Sequence, residues 1–260
     1  MIGEDRIVKS ELINAIARVQ ATGAVVSVST GRTLMPALRI AKEAGASGPV
    51  ICFQGAMTYD QHTESTMRHE RLDESITAQA IAGLTSIVPE VMMFLGNDVW
   101  VEKRSEWTDG YGRRMGIEIR DTDSLLDMAD HKPTAIVGVG EPDVVGPMVE
   151  ELQNLLNGSA LVTHSLPMFC EVEAIGAGKD LAVEHLSITL GIEQSAVIAV
   201  GDGKGDQSMI EWAGLGVAIA GGHPDAISAA DEVIAVPEES GLVNFLEKLI
   251  DAGQFGLPRN

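Results

Sequence analysis

Three short segments carry residue types whose spacing could do chemistry. Gly201-Asp202-Gly203-Lys204-Gly205-Asp206 follows the apolar run AVIAV at 196–200. Two carboxylates on a glycine-rich loop at a strand's carboxyl end suit a hard cation that takes oxygen ligands. The plain alternative is a solvated turn with Asp206 capping the next helix. Ser29-Thr30-Gly31-Arg32 stands where an apolar run gives way to a helical pattern. A hydroxyl beside free N–H groups at such a junction can hold a phosphate, and it can equally be a simple N-cap. Lys179 follows Gly176-Ala177-Gly178 and opens an amphipathic helix. Its ammonium could reach a phosphoryl oxygen as a point charge, or it could sit in solvent. With 7 lysines in the chain, one placed behind a glycine turn stands out.

Other patterns fail on their own terms. Gly176 to Asp180 has Glu173 where a P-loop needs its first glycine, and no Ser or Thr at 180. Gly138-Val139-Gly140 meets Asp143 instead of the third glycine of a dinucleotide fingerprint. His69-Glu70 has Asp73 in place of the second zinc histidine. Asp202 and Asp206 fit a calcium loop, but Gln207 and Ala213 replace its glycine and its terminal glutamate. Trp100 and Trp107 could line a substrate face or fill a core.

The elements that must position the three segments alternate. ELINAIARVQATG (11–23), AVVSVS, TLMPALRIAKEAG (33–45) and PVICF (49–53) read as helix, β-branched run, helix and strand. The last third repeats the style, with a helix over 179–190 and strands at AVIAV, LGVAIA and DEVIAV. Near-continuously apolar strands between helices predict a parallel sheet covered on both faces. The middle differs. VMMFLGNDVWVEK (91–103) alternates around Gly96-Asn97-Asp98 as a hairpin would. The expected fold class is therefore α/β: a Rossmann-like doubly wound core over 1–74 and 169–260, with a smaller inserted α/β cap domain over 75–168.

Composition narrows the partners. Of 260 residues, 38 are Asp or Glu and 18 Lys or Arg, a formal net charge of −20. Such a field repels nucleic acid and anionic membranes, and an anionic ligand would need a local divalent cation to offset it. No apolar run reaches the roughly 18 residues of a membrane span. MIGEDRIVKSEL offers no apolar core for a signal peptide. Cys52 and Cys170 each sit in an apolar run, as packed thiols do in a reducing cytoplasm. Oligomeric state leaves no mark in the sequence.

Taken in order around the insert, the three segments resemble the haloacid dehalogenase-like (HAD) hydrolases of the Cof-type IIB group. VSVSTGRT is similar to the family's second motif, with Thr30 in the phosphate-binding place and Gly31 and Arg32 beside it. Gly176 to Leu181 resembles the third, with Lys179 as its lysine. GDGKGDQSMIEWAGLGVAIAGG resembles the fourth, which implies Asp202 as metal ligand and Asp206 as its support. Two positions depart from the pattern. Gln54-Gly55-Ala56 stands where the family has Asn-Gly-Ala near the substrate, and Gly205-Asp206 where it has Asn-Asp.

The resemblance implies a Mg²⁺-dependent phosphatase of small phosphorylated metabolites such as sugar phosphates. Its nucleophilic aspartate would form an aspartyl-phosphate that water cleaves, while Mg²⁺, Thr30 and Lys179 stabilise the transferring group. The first motif, Asp-x-Asp-Gly-Thr, which carries that nucleophile, does not occur in the chain. Glu4-Asp5 cannot replace it, since the acids are adjacent and no apolar strand precedes them. The expectation is a start placed too late, with a central strand lacking and this chain inactive by itself. The alternative is a catalytically inactive phosphometabolite-binding or regulatory protein of the same fold.

Overall fold

The computed structural model describes residues 7–164 and 166–255. The chain divides into two compact units. One takes the residues up to Thr30, Ala37–Met67 and the chain from Gly178 onward; the other takes Gly31–Pro36 and Arg68–Ala177.

The first unit opens with α1 (Ser10–Ala21), whose Leu12, Ala15, Ile16 and Val19 are buried on one helical face. After α2 (Leu34–Ala44) come β1 (Val50–Cys52), β2 (Met57–Asp60) and β3 (Ser65–His69), paired in that order. AVVSVS, expected as a full strand, is extended but pairs on one side only. Ile51 N–H donates to Val28 O and Thr30 N–H to Ile51 O, a parallel bridge of Ser29 with Ile51. Its other edge has no strand partner among the described residues.

The second unit contains α3 (Glu74–Thr85), β4 (Glu90–Leu95), β5 (Asp98–Val101), α4 (Glu106–Met115), β6 (Glu118–Asp121), β7 (Ala135–Val139), α5 (Pro142–Leu156), β8 (Ala160–Thr163) and β9 (Phe169–Ala174). They form a six-stranded mixed sheet in the order β6-β5-β4-β7-β9-β8. The expected hairpin is β4–β5, where Leu95 pairs Asp98 and Gly96 turns the chain at φ +63. Helices α3 and α5 cover one sheet face through Leu84, Met148 and Leu152, all at most 1% exposed. Each such side chain contributes about 1.5–3 kcal/mol when taken from water. Trp100 packs against that cluster, while Trp107 stacks on Tyr111 at 5.7 Å between centroids. One strand lies differently from the expected boundary at residue 168. Residues 169–174 pair antiparallel with both β7 and β8, because their alternate residues Cys170 and Val172 complete the apolar face under α3 and α5.

The chain returns to the first unit with α6 (Lys179–Leu190), β10 (Ile198–Gly201), α7 (Gln207–Trp212), β11 (Leu215–Ile219), α8 (Pro224–Ala229), β12 (Glu232–Ile234) and α9 (Gly241–Asp251). Strands β10, β11 and β12 form a parallel sheet. On α9, Leu242 and Leu246 pack both on that sheet and on α1, α2 and Val26. Among the described residues no helix is long and apolar enough to cross a membrane.

Both cysteines are free and fully buried, and burial pushes each thiol up to about 12. At pH 8 an aromatic disulfide reagent should therefore label neither thiol in the native protein and both after denaturation. Rapid labelling of the native chain would contradict this packing.

Candidate functional site

The site grows from the carboxyl end of β10. A Cβ on Gly201 would run into the side chain of Asp206, so glycine there lets the loop fold back over itself. Asp206 is buried at 8% exposure, and its Oδ2 accepts N–H bonds from Asp202 at 3.1 Å and Gly203 at 2.9 Å. Its Oδ1 accepts from Lys179 Nζ at 2.5 Å. Lys179 is itself only 7% exposed. A buried lysine and aspartate are each costly alone and tolerable as a hydrogen-bonded pair. The solvent-facing alternative for Lys179 is thereby removed. So is the capping alternative for Asp206: it precedes α7, yet its carboxylate makes no cap bond to that helix.

Asp202 is placed differently. Its carboxylate is exposed, while its backbone is pinned by Asp206 Oδ2 on one side and by His223 N–H, 2.7 Å from its carbonyl, on the other. The arrangement leaves Asp202 free to meet a ligand and uses both oxygens of Asp206 internally. Among the described residues no three His, Cys, Asp or Glu side chains gather as a metal cage. A cation held here would keep several waters, which is the habit of Mg²⁺ bound through one or two carboxylates plus a phosphate.

The other segments reach this loop through backbone packing. Thr30 N–H is held by Ile51 O, and Ile51 leads through Cys52 into Phe53-Gln54-Gly55. There the backbone is left-handed at three successive residues, with φ of 50, 47 and 98°. For Phe53 and Gln54 that conformation costs about 1–2 kcal/mol each. Gly55 packs so tightly on Gly178 that a Cβ would strike the Gly178 carbonyl, with Lys179 N only 2.8 Å away. On the far side, a Cβ on Gly205 would meet Gln54 Oε1 at 3.1 Å. Gln54 and Gly55 therefore touch both the Lys179 turn and the acidic loop. Ser29 and Thr30 do not cap α2, which starts four residues beyond Thr30 at Leu34. Gly31 and Arg32 belong to the short segment grouped with the second unit.

The same segments carry buried oxygens whose hydrogen-bonding capacity the structure leaves open. Ser27 Oγ, Ser29 Oγ and Gln54 Oε1 are buried without a hydrogen-bond partner among the described residues. Gln54 is already marked by its departure from the family's Asn-Gly-Ala, which sets it near the substrate.

Comparison with known proteins converges on one family. Residues 1–246 match the family of haloacid dehalogenase-like hydrolases. The chain belongs to that family. It is 26% identical over 257 residues to a phosphoglycolate phosphatase of Methanopyrus kandleri, covering 96% of this chain and 92% of that one. The fold matches a haloacid dehalogenase-like hydrolase from Bacteroides thetaiotaomicron at TM-score 0.84, with 22% identity and 95% of each chain covered. A sugar phosphatase of HAD subclass IIB matches at TM-score 0.80, with 18% identity over 97% of this chain and 95% of the other. The HAD-like chain thus has the Rossmann-like core and cap architecture of its solved relatives.

Proposed function

We propose that this HAD-like chain carries the phosphate- and cation-binding side of a phosphoric monoester hydrolase. Its substrates are small phosphorylated metabolites, sugar phosphates among them. The observation that carries the reading is the Asp206 carboxylate, which fixes Lys179 with one oxygen and the Asp202–Gly203 backbone with the other. That clamp holds a cation and an exposed carboxylate at one strand end. The names of the relatives, a phosphoglycolate phosphatase and a subclass IIB sugar phosphatase, support the substrate class.

In this reading Asp202 holds Mg²⁺ and Asp206 orients the loop that presents it. The metal supplies charge neutralisation for a bound phosphoryl group. Thr30 and the Gln54-Gly55 turn line the anion. Lys179 gives one of its three N–H donors to Asp206 and keeps the others for phosphoryl oxygens. The core would comprise the two parts of the first unit and the cap the second, ending after β9. A reducing cytoplasm fits the two free thiols, and the −20 charge disfavours nucleic acid as a partner.

The sequence has no Asp-x-Asp-Gly-Thr, so these 260 residues supply no family nucleophile. The second reading is binding of phosphometabolites without turnover. Gly205 has no side chain, and the Gln54 carboxamide stands against that space.

Calorimetric titration tests the binding half. Mg²⁺ should bind the wild-type chain, and Asp202→Asn should weaken it at least tenfold without unfolding, since that side chain is exposed. Equal affinity in the variant would refute the assignment. A phosphate-release assay on sugar phosphates separates the two readings. The chain should show no sustained Mg²⁺-dependent turnover, and finding it would eliminate the binding-only reading and reveal another nucleophile.

A further inference from the structure

The left-handed turn at Phe53-Gln54-Gly55 directs the Gln54 side chain onto the acidic loop. A Cβ on Gly205 would stand 3.1 Å from Gln54 Oε1, 3.7 Å from Cδ and 3.8 Å from Nε2. The carboxamide therefore fills the volume that a side chain at 205 would need. Its Oε1 is buried and accepts no hydrogen bond among the described residues. A buried amide oxygen left unpaired is unfavourable, so such groups mark places where a further donor belongs. The neighbouring groups narrow what that donor is. Asp206 has both oxygens engaged, and Lys179 is bonded to one of them. Asp202 offers an exposed carboxylate on the same loop. An acceptor oxygen against the loop that carries an exposed carboxylate suits the polarised water of a hard divalent cation, which donates strongly and keeps its hydration shell.

We propose that Gln54 is a cation-site residue, whose Oε1 accepts a hydrogen bond from a water in the shell of the divalent ion held by Asp202, with the glycine at 205 leaving its carboxamide room to do so. This rests on the reading that Asp202 binds such an ion.

Mn²⁺ is the probe, followed by calorimetry and by the loss of its free-ion paramagnetic resonance signal. Gln54→Leu should bind Mn²⁺ about tenfold more weakly, the low end of what losing an outer-shell partner costs. Gly205→Asn should weaken binding comparably by displacing the carboxamide. Combining Gln54→Ala with Gly205→Asn should recover most of the loss, because the new amide then has the vacated space. Asp202→Asn, measured alongside, distinguishes the failures. If Asp202→Asn loses Mn²⁺ while Gln54→Leu binds it as the wild type does, Gln54 has no such role. If Asp202→Asn binds normally, or the wild type does not bind, the cation reading itself is overturned and Gln54 falls with it. Should Gln54→Leu melt early by circular dichroism, Gln54→Glu decides. It retains an oxygen and adds charge, so affinity should rise, and unchanged or weaker binding would overturn the proposal.

Discussion

Replacing Lys179 by methionine is expected to destabilise the protein by about 3–5 kcal/mol, the usual cost of removing one partner from a buried ion pair. Methionine is unbranched and only one heavy atom shorter, so little packing is lost. What remains is the Asp206 carboxylate, 8% exposed, with two backbone N–H donors and no cation. Asp206→Leu should cost at least as much, because it strands the ammonium and also frees the N–H groups of Asp202 and Gly203. The double variant should be less damaged than the two losses summed, since neither charge is then left alone. Against a total stability of about 5–15 kcal/mol, each single change is severe. Urea unfolding with unchanged m-values reads the effect. A loss below about 1 kcal/mol for Lys179→Met would mean that the pair is solvated and that the loop has another anchor.

Gly55→Ala should be the most damaging of the small substitutions at the site. Two costs combine there. A φ of +98° strains any residue with a Cβ, at about 1–2 kcal/mol. The Cβ also strikes the Gly178 carbonyl, and overpacking of that kind adds about 1–3 kcal/mol. Gly191 supplies the control, with φ +67° and nothing within 4 Å of a Cβ. Gly191→Ala should therefore lose only the first of the two costs. Thermal melts of both variants give the comparison. Equal losses would contradict the close approach of the Gln54-Gly55 turn to the Lys179 turn.

Much of this was legible because period and punctuation agree. The spacing of Leu12, Ala15, Ile16 and Val19 gives α1, and Gly96-Asn97 between alternating runs gives the β4–β5 hairpin. The three chemical segments were found as loops at strand ends, since glycine beside acid or hydroxyl after an apolar run is a local signal. What local signals lack is pairing. β9 looks like a core strand by composition, and only its antiparallel ladders with β7 and β8 assign it to the second unit. AVVSVS is β-branched enough for a strand, but among the described residues its pairing stops at the isolated bridge of Ser29 with Ile51. Lys179 was readable as a cation behind glycines, not as a buried one, because burial is decided by Asp206, 27 positions away. Gln54 and Gly205 are the instructive pair. They are the two departures from the family pattern around the site, 151 positions apart by their numbering, and they are neighbours in space.

The most direct test of the site is a crystal structure of the chain with Mn²⁺ and orthovanadate, located by the anomalous scattering of manganese. A single strong manganese peak against the Asp202 carboxylate, with the oxyanion in hydrogen-bond reach of Thr30 and Lys179 Nζ, is the result predicted. A manganese peak elsewhere, or one that persists at the loop in crystals of Asp202→Asn, would contradict it.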